Sequence, residues 1–174
     1  MAEAFSNKVA RAAGIVTTMT GGAIGIQTNL ITGISTTSVA VNDLVDNSNY
    51  ILGTKVSSVG ASQVVADRDS TNTSATSSQS VKFLGVTTAY TSTGTKSILV
   101  GGTFANNTTS SVNLTINVFD NSASAEVGLA ANIPVPQGSS FVISDTGKTV
   151  LESSDEVRIY CDTANAIDAT LSVL

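Results

Sequence analysis

The sequence predicts an all-β protein whose main domain is an antiparallel β-sandwich or jelly roll. Hydrophobic residues make up 41% of the chain but aromatic residues only 5%, and there is no Trp. The core therefore depends on Val, Ile, Leu and Ala, a composition that favours strands. From Val81 onward, short apolar segments recur at intervals of about ten residues between Gly, Asn, Asp and Pro turns, which is the spacing of a sandwich or jelly roll.

The clearest strand pattern is a strict alternation of apolar and polar residues. In Ser111 to Phe119 every second residue is Val, Leu or Ile and the residues between are Asn or Thr, which predicts a strand with one buried face. The same alternation marks Glu156 to Cys161 and the last eight residues. Further predicted strands are Val81 to Thr87, Lys96 to Phe104, Val127 to Ile133, Ser140 to Ser144 and Thr149 to Leu151.

Three regions are predicted along the chain. Residues 1–13 form an N-terminal arm, because Phe5, Val9 and Ala12 have the i, i+4, i+7 spacing of one short amphipathic helix. This arm either docks on its own domain or reaches a neighbouring subunit, and Phe5, Lys8, Val9 and Arg11 are its candidate interaction residues. Residues 14–80 form a small β-rich lobe that ends in a polar linker over 67–80, and residues 81–174 form the sandwich.

The residue types exclude most catalytic sites. The chain has no His, which removes His-based triads and the usual neutral-pH general base. Cys161 occupies an inward position of a predicted strand and is expected to be a buried structural thiol. Glu152, Asp155 and Glu156 are the closest carboxylates, and we interpret them as a solvated turn between strands. No catalytic residue and no cofactor is predicted.

Oxygen-rich segments do not form a recognisable metal site. Asp67, Asp69 and Asn72 resemble the start of a calcium loop, but the Gly and Glu that an EF-hand requires later in the loop are Asn and Ser here. Asp43 and Asp46 offer further oxygen ligands. We expect no designed metal site at either place.

Charge argues against nucleic acid and membranes as partners. Charged residues are 12% of the chain and the net charge is -5, without a basic cluster. No segment has the length and hydropathy of a membrane span, and residues 1–14 lack the apolar stretch of a secretory signal. Ser and Thr supply roughly a quarter of the residues, and a surface so poor in charge suits a protein that packs against other subunits.

Four segments of the chain have a recognisable pattern: AEAFSNKVA at residues 2–10, SILVGGTFANNT at 97–108, VNLTINVFD at 112–120, and IPVPQGSSFVISDTGKTVLESSDEVRIYCDTANAIDATLSVL at 133–174. These segments resemble small structural proteins in the virions of tailed marine phages, especially cyanophage-like myoviruses. In that family the arm runs almost directly into the sandwich. Residues 14–80 depart from this pattern and look like an inserted lobe.

The resemblance implies a non-enzymatic virion protein, assembled in the host cytoplasm. The expected role is that of a capsid decoration protein, which binds other virion subunits and stabilises the shell, as a homo-oligomer with a trimer as the first expectation. The alternative is a tail, neck or fibre component that contacts the host surface. A pilus or surface-layer module and a carboxylate-dependent glycan hydrolase are the more distant readings.

Overall fold

The computed structural model of the chain describes residues 5–143 and 148–174, and the described part is entirely β-structure and turns. It contains no helix that could span a membrane. The chain forms two compact units. Residues 1–14 and 87–174 make one, called here the split domain, and residues 15–86 make the other, called the inserted domain.

Fifteen strands follow one another along the described residues. They are β1 (Ser6–Ala13), β2 (Ile15–Ile24), β3 (Leu30–Thr32), β4 (Leu44–Asp46), β5 (Val56–Val59), β6 (Gln63–Ala66), β7 (Thr76–Gly85), β8 (Thr87–Thr91), β9 (Lys96–Asn106), β10 (Val112–Asp120), β11 (Ala125–Val135), β12 (Ser140–Ile143), β13 (Thr149–Glu152), β14 (Glu156–Cys161) and β15 (Ile167–Val173). All the pairings between them are antiparallel, so the predicted all-β antiparallel class is confirmed.

The split domain consists of two sheets over one hydrophobic core. The first sheet has the order β1-β15-β9-β12, with β13 also paired to β9, and the second has the order β11-β10-β14-β8. Buried side chains from both sheets belong to one cluster, among them Phe104 and Leu171 from the first sheet and Leu114 and Ile159 from the second. This arrangement is β-sandwich-like, and its core contains the alternating residues that the sequence marks as inward.

The prediction of an N-terminal helix is wrong. Ser6–Ala13 form a strand at the edge of the first sheet, paired with β15 from Ser6 opposite Val173 to Ala10 opposite Ala169. The helical spacing of Phe5 and Val9 does not reflect burial, because these side chains are 70% and 74% exposed. A helix of this length is marginal by itself, whereas pairing with β15 satisfies the backbone groups on the inner side of β1.

The inserted domain has its own sheet and its own core. Its six strands have the order β4-β7-β2-β3-β6-β5. The core cluster is aliphatic except for two aromatic residues, and its buried members are Ile24, Ile31, Ile34, Val39, Val45, Tyr50, Val56, Val64, Ala66, Val81 and Phe83.

The polar stretch predicted as a linker over 67–80 is part of this inserted domain. Its second half lies within β7, which starts at Thr76, and its first half is hydrogen-bonded to neighbouring loops. Ser70, for example, is 3% exposed, and its backbone N–H donates to the Thr28 carbonyl at 2.9 Å. The Ser70 hydroxyl in turn accepts a hydrogen bond from the Thr28 N–H at 3.1 Å, so a polar side chain also satisfies a loop backbone group here. The change of domain falls between residues 86 and 87.

Candidate interaction surfaces and the polar network of the split domain

The four candidate interaction residues lie on or next to β1, but on two different sides. Phe5, Val9 and Arg11 are exposed, whereas Lys8 is partly buried. Lys8 shares its side of the strand with Ala10, which packs against the core, and its Nζ lies 5.9 Å from the centre of the Tyr90 ring on β8. Lys8 thus contributes to its own domain, and the other three remain available to a partner.

Val9 also begins an uncharged row across the outer face of the first sheet. Val9 lies opposite Thr170 of β15. On the next two strands the row continues with Thr103 of β9 and Val142 of β12, each opposite the residue before it. We call these four residues the outer row, and all four are exposed. Because β-branched side chains are stiff, such a row presents a surface that loses little side-chain entropy on binding.

The second sheet carries a polar network centred on Glu126 of β11. One carboxylate oxygen of Glu126 accepts hydrogen bonds from the Tyr160 hydroxyl at 2.9 Å and from Asn117 Nδ2 at 2.6 Å. The other oxygen is 3.0 Å from Arg158 Nη1, and the Glu126 and Arg158 side chains are only 3% and 14% exposed. Both Glu126 oxygens are therefore bonded within the domain.

Arg158 of β14 joins this carboxylate to a second one. Its Nε donates to Glu156 Oε2 at 2.8 Å, and the same oxygen accepts a hydrogen bond from the Thr88 hydroxyl at 3.3 Å. The guanidinium lies over the Phe119 ring, 3.8 Å from its centre. Every strand of the second sheet, β8, β10, β11 and β14, contributes a side chain to this network.

The electrostatics keep the Tyr160 hydroxyl protonated and the Arg158 guanidinium charged near neutral pH. Burial raises the pKa of Tyr160, and the charge and hydrogen bond of Glu126 raise it further. Burial by itself lowers the pKa of Arg158, but hydrogen bonds to Glu156 and Glu126 outweigh it, so this pKa is raised. A protonated phenol and a charged guanidinium thus fix the Glu126 carboxylate, and the arrangement ties the edge strand β11 to the inner strands.

The three carboxylates of the predicted solvated turn have three different environments. Glu152 is exposed and is 3.9 Å from Lys96. Asp155 is only 5% exposed, and its two oxygens accept hydrogen bonds from the backbone N–H groups of Asn121 and Glu152 at 2.9 Å and 2.8 Å. Glu156 belongs to the polar network. The solvated interpretation therefore fits Glu152 and fails for Asp155, which joins two turns.

The remaining candidate residues serve their own surroundings. Cys161 is fully buried in the core, as its inward position predicts. Asp67 accepts a hydrogen bond from the Lys55 N–H at 2.8 Å, and the Asn72 amide donates to the Gly25 carbonyl at 2.9 Å. Asp43 is buried and accepts from the Ala40 N–H at 2.8 Å. Within residues 5–143 and 148–174, no three His, Cys, Asp or Glu side chains are grouped so as to hold a metal ion.

Sequence reasoning missed the Glu126–Arg158 pair. The alternation in Glu156 to Cys161 places Arg158 at an outward position, and the alternation in Ser111 to Phe119 does the same for Asn117. A charged residue at an outward position of a strand is an ordinary surface feature, however. Only the pairing of β10 with both β11 and β14 brings Glu126 and Arg158 together.

The Tyr50 hydroxyl makes the inserted domain sensitive to alkaline pH. Burial, and then the negative charge of Asp69, raises the pKa of Tyr50 to about 12, against about 10 in an unfolded chain. Because the folded pKa is higher, the stability contributed by neutral Tyr50 is complete below about pH 10. After a discount for solvent screening of the hydroxyl, we expect a loss on the order of 1 kcal/mol as the pH rises from about 10 to about 12.

Urea unfolding of the full chain, followed by circular dichroism at a series of pH values across this range, measures that loss. Tyr50→Phe is the matched control, because it keeps the ring and removes the titrating group, together with the 3.3 Å bond to the Thr28 carbonyl. The variant should start less stable and change less between about pH 10 and 12. An equally steep loss in the variant contradicts the assignment to Tyr50.

Comparison of the chain with protein-family models, curated proteins and solved structures gives no match. Its function is therefore inferred from its own residues and geometry.

Proposed function

We propose that this chain is a non-enzymatic structural protein of a phage virion, a capsid decoration protein that binds the shell and stabilises it. The observation that carries the proposal is the pairing pattern of the split domain. Leaving out the inserted domain and counting β12 and β13 as one position, the strands occupy eight positions along the chain. The first pairs with the last, the second with the seventh, the third with the sixth and the fourth with the fifth.

This nested pairing supports a jelly roll, in which a long hairpin folds over to form two Greek keys. The pairs are β1 with β15, β8 with β14, β9 with β12 and β13, and β10 with β11. Jelly rolls occur in viral capsid proteins, lectins and cupins. The chain has no His, which disfavours the metal chemistry that His ligands support, and the resemblance of four segments to phage virion proteins favours the capsid alternative.

The surface of the first sheet supports a role in assembly. The outer row is uncharged, and Phe5 next to it is 70% exposed. Phe5 and Val9 would contact other virion subunits, with the outer row as the rest of the contact area. The protein binds the assembled shell and not the separate subunits, so each such interface shifts the equilibrium toward the assembled shell. We propose that the protein acts as a homo-oligomer, with a trimer as the first expectation, so that one copy of the assembly reaches several shell subunits.

A second candidate function is a tail, neck or fibre component, and the inserted domain favours it. The insertion lies in the single connection between the first and second jelly-roll positions, between β1 and β8. A folded domain placed in one connection leaves the rest of the jelly roll intact, so it can serve a second contact, such as the host surface.

Quantitative mass spectrometry of the tailed-phage particles encoded by the genome that carries this gene tests both candidates. Decoration predicts copy numbers on the order of the major capsid protein, because a symmetric shell repeats each binding site many times. A tail or neck role predicts far fewer copies. Particles that lack the protein altogether contradict both functions.

A further inference from the structure

One end of the inserted domain's sheet carries three exposed aliphatic side chains. The loops 25–29, 47–55 and 67–75 meet at this end, where β2, β4 and β6 finish and β3, β5 and β7 begin. Ile26 is 56% exposed, Ile51 49% and Leu52 61%. We call these three residues the aliphatic tip. Loops at protein surfaces are normally built from Gly, Pro, Asn, Asp and Ser, so consecutive exposed Ile and Leu in a turn need a reason.

The turn that carries Ile51 and Leu52 is held rigidly. The Thr54 N–H donates to the Ile51 carbonyl at 3.2 Å, and the buried Thr54 hydroxyl donates to the same oxygen at 2.7 Å. Gly53 has a φ of 81°, which the third residue of a type II turn requires. Arg68 Nη1 donates to the Leu52 carbonyl at 3.4 Å.

Residues 67–72 also hold the loop that carries Ile26. The Asn72 amide donates to the Gly25 carbonyl at 2.9 Å, and the Ser70 N–H donates to the Thr28 carbonyl at 2.9 Å. The Thr71 N–H donates to the Asn49 carbonyl at 2.7 Å, next to the turn of Ile51 and Leu52. The side chains of Thr54, Arg68 and Asn72 thus donate to backbone carbonyls within the domain, while the three aliphatic side chains face outward. Binding a partner would therefore cost little conformational entropy of these loops, because folding has already ordered them.

We propose that copies of this chain associate through the aliphatic tip, with equivalent tips meeting at a symmetry axis. This inference rests on the homo-oligomeric part of the proposed function and names the surface responsible. Symmetric association needs no separate recess, because the same three side chains from each copy cover one another. Arg68 and Asp69 are adjacent and exposed next to the tip, so each copy offers both charges of an intermolecular ion pair.

The charge around the tip disfavours an anionic lipid surface as the occupant. Asp46, Asp67 and Asp69 are balanced by Lys55, Arg68 and Lys82, which lies opposite Asp46, so this end has three negative and three positive charges and no basic excess. Membrane-binding loops combine basic residues with exposed aromatic ones. The nearest aromatic residue, Tyr50, is 6% exposed. A second copy of the chain therefore fits this surface better than a membrane.

Sedimentation equilibrium of the full chain over a range of concentrations tests the proposal. The test variant replaces Ile51 and Leu52 with Ser, and we expect self-association to weaken by at least about 30-fold, the smallest loss typical of interface hot spots. The matched control, Val127→Thr with Val150→Thr, changes two aliphatic residues of the split domain that are 64% and 53% exposed and lie outside the outer row. The control should associate like the wild type. Far-UV circular dichroism verifies that each variant is folded.

A monomeric wild type, or a folded tip variant that associates as strongly as the wild type, overturns the proposal. If the double variant does not fold, Leu52→Lys replaces it, because the second position of a type II turn accepts most residues and a lysine there repels its equivalents at the axis. Binding to vesicles that contain anionic lipid is measured as well. If the wild type binds these vesicles and the tip variant does not, the aliphatic tip is a membrane contact and the self-association proposal is refuted. If the protein is monomeric but present at high copy number in particles, self-association through the aliphatic tip is refuted while the virion function is supported.

Discussion

Replacing Glu126 with Ala is expected to destabilise the split domain by about 3–5 kcal/mol, the usual cost of removing one partner of a buried ion pair. The Glu126 carboxylate is 3% exposed beside Arg158, and it also accepts hydrogen bonds from Tyr160 and Asn117. Its loss leaves three donors around an empty volume from which water is largely excluded. The guanidinium would retain Glu156 as its remaining carboxylate partner.

Hydrogen exchange of peptides from β10, β11 and β14 measures this effect without interference from the inserted domain. Glu152→Ala is the matched control, because it removes the same atoms from an ion pair whose side chains are 61% and 65% exposed. An exposed pair contributes little to stability. If Glu126→Ala increases exchange no more than Glu152→Ala does, the network does not stabilise the second sheet.

A double substitution separates the cost of an unpaired charge from the value of the pair. Glu126→Leu with Arg158→Met replaces both charges by apolar groups of similar size. It should be less destabilising than Glu126→Ala, because the charge left without its partner is Glu156, whose side chain is 25% exposed and still accepts a hydrogen bond from Thr88. The same comparison reports how firmly Glu126 fixes the register of β11, whose pairing with β10 shifts twice between Leu114 and Asn117.

The sequence predicted those parts of the fold that alternation alone determines. β10, β14 and β15 bury every second residue, so their strands and inward faces could be read directly. β1 could not be read in this way, because its inward residues are a partly buried Lys8 and the small Ala10, and the larger Phe5 and Val9 face outward. An edge strand with one polar and one small inward residue has no clear period of two, and the accidental helical spacing therefore decided the prediction.

Neither the polar network nor the packing of residues 67–72 within the inserted domain could be predicted from the sequence, for a related reason. Glu126 and Arg158 are 32 residues apart and meet only after two strand pairings are known. Ser70, Thr71 and Asn72 have the composition of a solvated linker, and nothing local distinguishes hydroxyl groups bonded to water from those bonded to a neighbouring loop. In both cases tertiary pairing, and not the local sequence, decides which polar groups are satisfied inside the protein.

Deleting residues 1–13 is expected to disrupt the split domain, and not merely to remove a contact with a partner. β1 covers the edge of β15, and Ala13 is fully buried in the core. The backbone N–H of Ala12 donates to Asp168 Oδ1 at 2.8 Å, so this carboxylate also loses a partner. We expect rapid hydrogen exchange throughout β15 and loss of the cooperative unfolding transition. Intact protection of β15 after the deletion contradicts a structural role for β1.

Because the deletion removes a strand, it cannot test whether β1 binds other subunits, and point substitutions are needed instead. Phe5→Ser with Val9→Thr removes the two most exposed large hydrophobic side chains of residues 5–143 and 148–174, at 70% and 74% exposure, and leaves the pairing with β15 intact. We expect little change in the stability of the folded protein and a marked loss of binding to virion particles that lack the protein. Lys8→Met is the complementary variant, since Lys8 faces Tyr90 and its replacement should alter the domain without affecting partner binding. Equal particle binding by the Phe5/Val9 variant and the wild type would confine β1 to its role as the first strand of the split domain.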